Sequence, residues 1–95
     1  MEIVMPSQHV ANKLARRGIT LEDLMECFGT ISGKVLIDTR ERSKTTPPTL
    51  WFISTTKNGR ALKVVFIYFA DVKEAHIKSA YEPSNVELAL YKKLK

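Results

Sequence analysis

Cysteine is nearly missing from this 95-residue chain: Cys27 stands alone, which excludes an internal disulfide and suits a reducing compartment. With one Cys and only His9 and His76, far apart in sequence, no set of residues has the spacing of a zinc site. The longest apolar run, Val64 to Ala70, falls well short of the ~20 residues that a membrane helix needs. Its β-branched and aromatic content reads as a strand instead. A Gly-rich phosphate loop, a nucleophile elbow and a His-Glu-x-x-His helix are all absent, so the common nucleotide, acyl-transfer and zinc-protease chemistries have no motif here. Met1 to Pro6 has no basic start, apolar centre or small-residue cleavage site, which predicts a cytoplasmic protein without membrane contact. No cofactor is expected. Repeats, linkers and low-complexity tracts are missing too, and a core of ordinary size takes roughly 100 residues, so 1–95 reads as a single domain.

What is present is basic and amphipathic. Fifteen Lys and Arg against ten acids give a net charge of +5, which favours a polyanionic partner such as nucleic acid. Ser7 caps a first helix with its apolar stripe at Val10, Ala11, Leu14 and Ala15, ended by Gly18. Thr20 and Asp23 form a capping box for a second helix, with Leu21, Leu24, Met25 and Phe28 as its stripe and Gly29 as its stop. Lys34 to Arg40, Thr49 to Lys57, Arg60 to Phe69 and Glu74 to Glu82 read as strands, and Glu41 to Pro48 as a polar loop. A second capping box, Ser84 to Glu87, opens a final helix from about Asn85, its stripe Val86, Ala89, Leu90 and Leu94. Leu88 and Tyr91 lie off that stripe and offer a surface to a partner, a second copy of the chain included. The predicted fold is α+β: two N-terminal helices, a four-stranded, mainly antiparallel sheet and a C-terminal helix.

Asn58-Gly59 suits a two-residue type I′ hairpin, which sets Lys57 opposite Arg60. In that register Trp51, Ile53, Leu62, Val64, Phe66 and Tyr68 share one face, the expected core, extended by Phe66 opposite Ile77 and Tyr68 opposite Ala75. A loop longer by one residue would change which side chains share a face.

Alternation then gathers Lys63, His76 and Lys78 on the other face. Such a cluster binds a phosphodiester and stabilises the charge that develops when a 2′-hydroxyl attacks it, with His76 moving the proton near neutral pH. A merely solvated face is the alternative. Arg40, at a strand end, is placed to clamp a phosphate, with Glu41 as a base or as the residue that holds it. Arg42, Lys44, Lys57 and Arg60 form a second basic group around the loop and the hairpin, and Tyr81 at its strand end contributes a ring or a hydroxyl to RNA contacts.

Several stretches resemble one family. Asn12-Lys13, Arg17-Gly18-Ile19-Thr20-Leu21-Glu22-Asp23 through Phe28, Asp38, Gly59-Arg60-Ala61-Leu62-Lys63-Val64-Val65-Phe66 and Ile77-Lys78-Ser79-Ala80 are similar to motifs of the BrnT-like toxins. These are small ribonucleases of bacterial toxin–antitoxin pairs with a RelE-like fold. The chain departs from the family pattern at Arg16-Arg17-Gly18, where that family reads Lys-His-Gly, and at His76 and Tyr81, where it has arginines. The resemblance implies a metal-independent endoribonuclease that acts on RNA and is bound by a cognate antitoxin protein. With His76 as the proton carrier that strand alternation suggests, His76→Ala is expected to abolish cutting. A non-enzymatic RNA- or protein-binding module on the same fold is the alternative.

Overall fold

The local signals at the helix starts operate as read. In the computed structural model, which describes residues 1–31, 33–40 and 45–94, helix α1 spans Gln8–Arg16 and the Ser7 hydroxyl accepts from the Val10 amide at 3.2 Å. Helix α2, Leu21–Gly29, opens on the reciprocal Thr20–Asp23 pair at 3.0 and 2.9 Å. Helix α3, Asn85–Leu94, opens on Ser84 and Glu87 at 3.1 and 3.0 Å. Each cap satisfies amides that have no partner inside the helix. Gly18, at φ +66°, takes the left-handed conformation that ends α1 and turns the chain into buried Ile19.

The sheet has five strands, not the expected four. They are β1 (Glu2–Val4), β2 (Leu36–Ile37), β3 (Thr49–Thr55), β4 (Ala61–Phe69) and β5 (Glu74–Tyr81), in the order β1-β5-β4-β3-β2. The additional strand, β1, lies parallel to β5 with Ile3 opposite Ala75 and Val4 opposite His76, and the other pairings are antiparallel. Three residues are too few to show a period, and a parallel partner so distant in sequence leaves no turn signal.

The hairpin between β3 and β4 corrects the expected register. Thr56, not Lys57, faces Arg60: the Thr56 amide donates to the Arg60 carbonyl and the Gly59 amide to the Thr56 carbonyl, both at 2.9 Å. Lys57-Asn58-Gly59 is therefore a three-residue loop, and Gly59 at φ +82° supplies the left-handed residue that such a loop requires. Asn-Gly suits either loop, so the dipeptide marks the hairpin without fixing its length. The slip of one residue exchanges the two faces of β3 relative to β4. Phe52, paired with Val64, now shares a face with Leu62 and Phe66, while Trp51 and Ile53 share the other with Lys63 and Val65.

Both faces are covered. On one, α1 and α2 lay Leu14, Leu24 and Cys27 over Phe52, Leu62, Val64, Phe66, Ala75, Ile77 and Ala80, all buried. Phe28 meets Phe52 and Phe66 edge-on, ring centroids 4.9 and 5.1 Å apart, the geometry favoured by aromatic quadrupoles. In α2 the inward stripe is Leu24, Cys27 and Phe28, while Leu21 and Met25, expected within it, are exposed. On the other face lies α3, turned away from its expected orientation. Tyr91 is buried against Trp51, with centroids 5.6 Å apart, and its hydroxyl donates to the Lys34 carbonyl at 2.8 Å. Val86, Leu90 and Leu94, the expected inward stripe, are exposed. The polar Glu87 occupies the inward side beside half-buried Leu88, which hides the true stripe from a hydrophobicity reading. The ring of Tyr91 thus belongs to the protein's own interior rather than to a docking surface. Among the described residues, no helix is long and apolar enough to cross a membrane.

Candidate functional site

Where α3 leans over β2, β3 and β4 it leaves a cleft of about 320 Å³. Three separate segments meet there. The end of β2 and the residues after it supply Asp38 and Arg40, the sheet supplies Trp51 and Lys63, and α3 supplies Leu90 and Leu94. Asp38 is 8% exposed and its carboxylate takes the Arg40 guanidinium side-on: Nε to Oδ1 at 3.1 Å and Nη2 to Oδ2 at 2.7 Å. That two-bond grip raises the pKa of Arg40 and aims a side chain that is otherwise 56% exposed. The residue that holds Arg40 is therefore Asp38. Glu41, expected in that role, lies outside the described residues.

Lys63 is as buried as Asp38, 8% exposed, and carries the opposite charge. Its ammonium lies 4.6 Å from the centre of the Trp51 ring and 5.7 Å from that of Tyr81, and donates to Glu87 Oε2 at 2.8 Å. The Tyr81 hydroxyl donates to the same oxygen at 2.9 Å. Burial by itself would raise the pKa of Glu87. The hydrogen bond from Lys63, that from the Ser84 amide and that from Tyr81 outweigh it and hold the carboxyl at about 2, against 4.5 for a free glutamate. A depressed carboxylate stabilises the folded chain above its unfolded pKa, and that gain is lost as pH falls through the folded value. With Glu87 a quarter exposed, screening leaves roughly 1–2 kcal/mol. In urea unfolding, the stability difference between wild type and Glu87→Gln should be widest above pH 4.5, shrink steadily down to pH 2 and lose its charge-dependent part below it. A difference unchanged across that range would refute the charge pairing.

Tyr81 meets Lys63 because of a β-bulge. Below it Phe66 faces Ile77 and Tyr68 faces Ala75, as expected from the sequence; above it Val65 faces Ser79 and Lys63 faces Tyr81. Lys78 is the extra residue, exposed and without an opposite number. A regular ladder would have set Ala80 opposite Lys63, so the bulge re-aims an entire strand end.

Lys63, His76 and Lys78 consequently do not converge. His76 is opposite Ile67, four positions along β4 from Lys63 or roughly 13 Å of strand, and Lys78 sits in the bulge. His76 instead bonds Glu74 Oε1 at 2.9 Å and packs on Phe69 at 4.7 Å between centroids, near β1. Arg60 is engaged structurally: Nη1 donates to the Gly18 carbonyl at 2.9 Å, and Nη2 donates to the Arg17 carbonyl at 2.7 Å and to Glu82 at 3.3 Å, tying the hairpin to the end of α1. The Lys57 amide donates to Glu26 at 2.9 Å and its side chain is exposed, away from the cleft lining. Arg42 and Lys44 lie outside the described residues.

Two neighbours of the site read differently in the sequence, Arg17 as the residue that stands where the family pattern has histidine and Glu87 as a helix cap. Arg17 Nη1 donates to the Ala80 carbonyl at 3.0 Å and the guanidinium lies 5.7 Å from the Tyr81 ring centre. Glu87 read only as a helix cap, and no local pattern marks its second use. Among the described residues, no three His, Cys, Asp or Glu side chains gather as a metal-binding group. Cys27 is buried under α2, and burial, aided by Asp23 and Glu26, pushes its thiol up to about 11, which keeps it protonated and unreactive. Compared with family models, curated proteins and solved structures, the chain finds no match.

Proposed function

We propose that the protein is a metal-independent endoribonuclease of the toxin type and that the cleft beneath α3, not the His76 end of the sheet, receives the RNA phosphate. One observation carries this reading: a buried ammonium, Lys63, and a carboxylate-oriented guanidinium, Arg40, line the same cleft in a chain of charge +5. Fixed cations of this kind stabilise a phosphorane more than the diester from which it forms, because the added charge appears where they already point. The 2′-oxygen bonds to phosphorus, the bond to the 5′-oxygen breaks, and a 2′,3′-cyclic phosphate remains. The 2′-hydroxyl proton leaves to solvent, since Asp38 and Glu87 are both committed to cations, and Lys63 protonates the departing 5′-oxygen. The sequence resemblance to BrnT-like toxins agrees with this chemistry, with a RelE-like class for the fold and with an antitoxin as partner.

A second reading, RNA binding without turnover, is favoured by the same pairing, because each cation of the cleft already has an acid beside it. The purified protein incubated with RNA in EDTA separates the two. Cutting to cyclic-phosphate ends supports the first. Salt-dependent affinity without cutting supports the second. Cutting only with added metal sinks the mechanism, and no affinity at low salt sinks both.

A further inference from the structure

Glu87 uses its two oxygens for different purposes. Oε1 accepts from the Ser84 amide at 3.0 Å and closes the first turn of α3, while Oε2 accepts from Lys63 at 2.8 Å and from Tyr81 at 2.9 Å. Glutamine serves the first role as well as glutamate does. It cannot serve both, because with its carbonyl on Ser84 it turns an amide NH2 towards two donors.

We propose that Glu87 is the positioning residue of the cleft, fixing the Lys63 ammonium between Trp51 and Tyr81 where it meets an RNA phosphate beside Arg40. The phosphate rests on the ribonuclease reading; the placement of Lys63 does not. An ammonium this enclosed is costly without its carboxylate, and its flexible stem lets it swing to water once the carboxylate is gone. The seating of α3 and the aim of Lys63 are then one event: lifting the first turn of α3 off the sheet removes the acceptor and disarms the cleft.

The test compares Glu87→Gln with Ser84→Ala in the full chain. The acylation rate of each lysine by an acetyl N-hydroxysuccinimide ester, read by peptide mass spectrometry, reports where Lys63 points. In Glu87→Gln, Lys63 should react roughly tenfold faster or more while Lys92 and Lys93 are unchanged, because the amine has left its enclosure. On an RNA oligonucleotide kcat should fall on the order of 100-fold with KM within about threefold, the split expected of an interaction realised in the transition state. Ser84→Ala weakens the helix cap alone, so Tm falls while Lys63 labelling stays within about twofold of wild type. Wild-type labelling of Lys63 in Glu87→Gln would overturn the proposal, as would an equal rise in Ser84→Ala. If Glu87→Gln fails to fold, Lys63→Met/Glu87→Gln decides: recovery of the fold locates the loss in the unpaired Lys63, and continued unfolding overturns the proposal. If the wild type cuts no RNA, the ribonuclease reading falls, and the labelling result alone supports or overturns the placement by Glu87.

Discussion

Phe52→Ala should lower stability by about 3–5 kcal/mol, the usual cost of emptying a fully buried aromatic site. Its ring is completely enclosed, with Phe28 and Phe66 edge-on at 4.9 and 5.8 Å. The neighbouring change Ile53→Ala, at a half-buried position, should cost about 1 kcal/mol. For a chain of this length each kcal/mol lowers Tm by about 4–8 °C, so thermal unfolding followed by circular dichroism separates the two variants clearly. The comparison tests the hairpin directly. A two-residue loop puts Ile53 with Leu62, Val64 and Phe66 and sends Phe52 to the mixed face; the three-residue loop does the reverse. Equal losses, or a larger loss at Ile53, would contradict the observed pairing of Phe52 with Val64.

Lys63→Met should reduce RNA cutting by about 10²–10³-fold, the range found when one charge-stabilising donor is removed from an active site. Methionine keeps an unbranched stem against Trp51, and Glu87 keeps its bonds to Tyr81 and Ser84, so the fold should survive. His76→Ala should cut within about threefold of wild type, because its partners Glu74 and Phe69 lie at the opposite end of the face. Initial rates on one oligonucleotide in EDTA measure both. The reverse pattern, an inactive His76→Ala beside an active Lys63→Met, would return proton transfer to His76 and remove the cleft from the reaction. Strand alternation alone puts these two residues in one cluster, yet the two variants have opposite expected outcomes.

What could be read in the sequence was local. Ser7, Thr20 with Asp23, and Ser84 with Glu87 each act within one helical turn, and all three caps are present at those positions. The pairing of Phe66 with Ile77 and Tyr68 with Ala75 was also legible, since the turn between β4 and β5 is short and the apolar alternation unambiguous. The failures share a cause. The loop at Asn58-Gly59 and the bulge at Lys78 each add one residue, and a period of two converts one residue into the opposite face. Neither leaves a mark, because Asn-Gly accommodates both loop lengths and Lys78 is an ordinary exposed lysine. The orientation of α3 was hidden by Glu87, a charged residue that faces inward only because Lys63 waits on another element. Arg40 and Lys63 of the cleft, and Tyr81 beside Lys63, could therefore be named in advance, but their common location depends on contacts between strands and helix that no single segment encodes.

The parallel pairing of β1 with β5 sets an order of events during synthesis. Helix α1 also packs on β5, so β1 has no partner strand, and α1 only the rest of the sheet, until residues 74–81 have been made. A nine-residue helix does not hold its shape alone in water, and a three-residue strand does not either. A nascent chain halted after β4 would leave Leu14, Phe52 and Val64 without their full cover, along with one open edge of β4. Residues 74–81 must be made before β1 and α1 can settle, and chains released before that point should be the ones that aggregate.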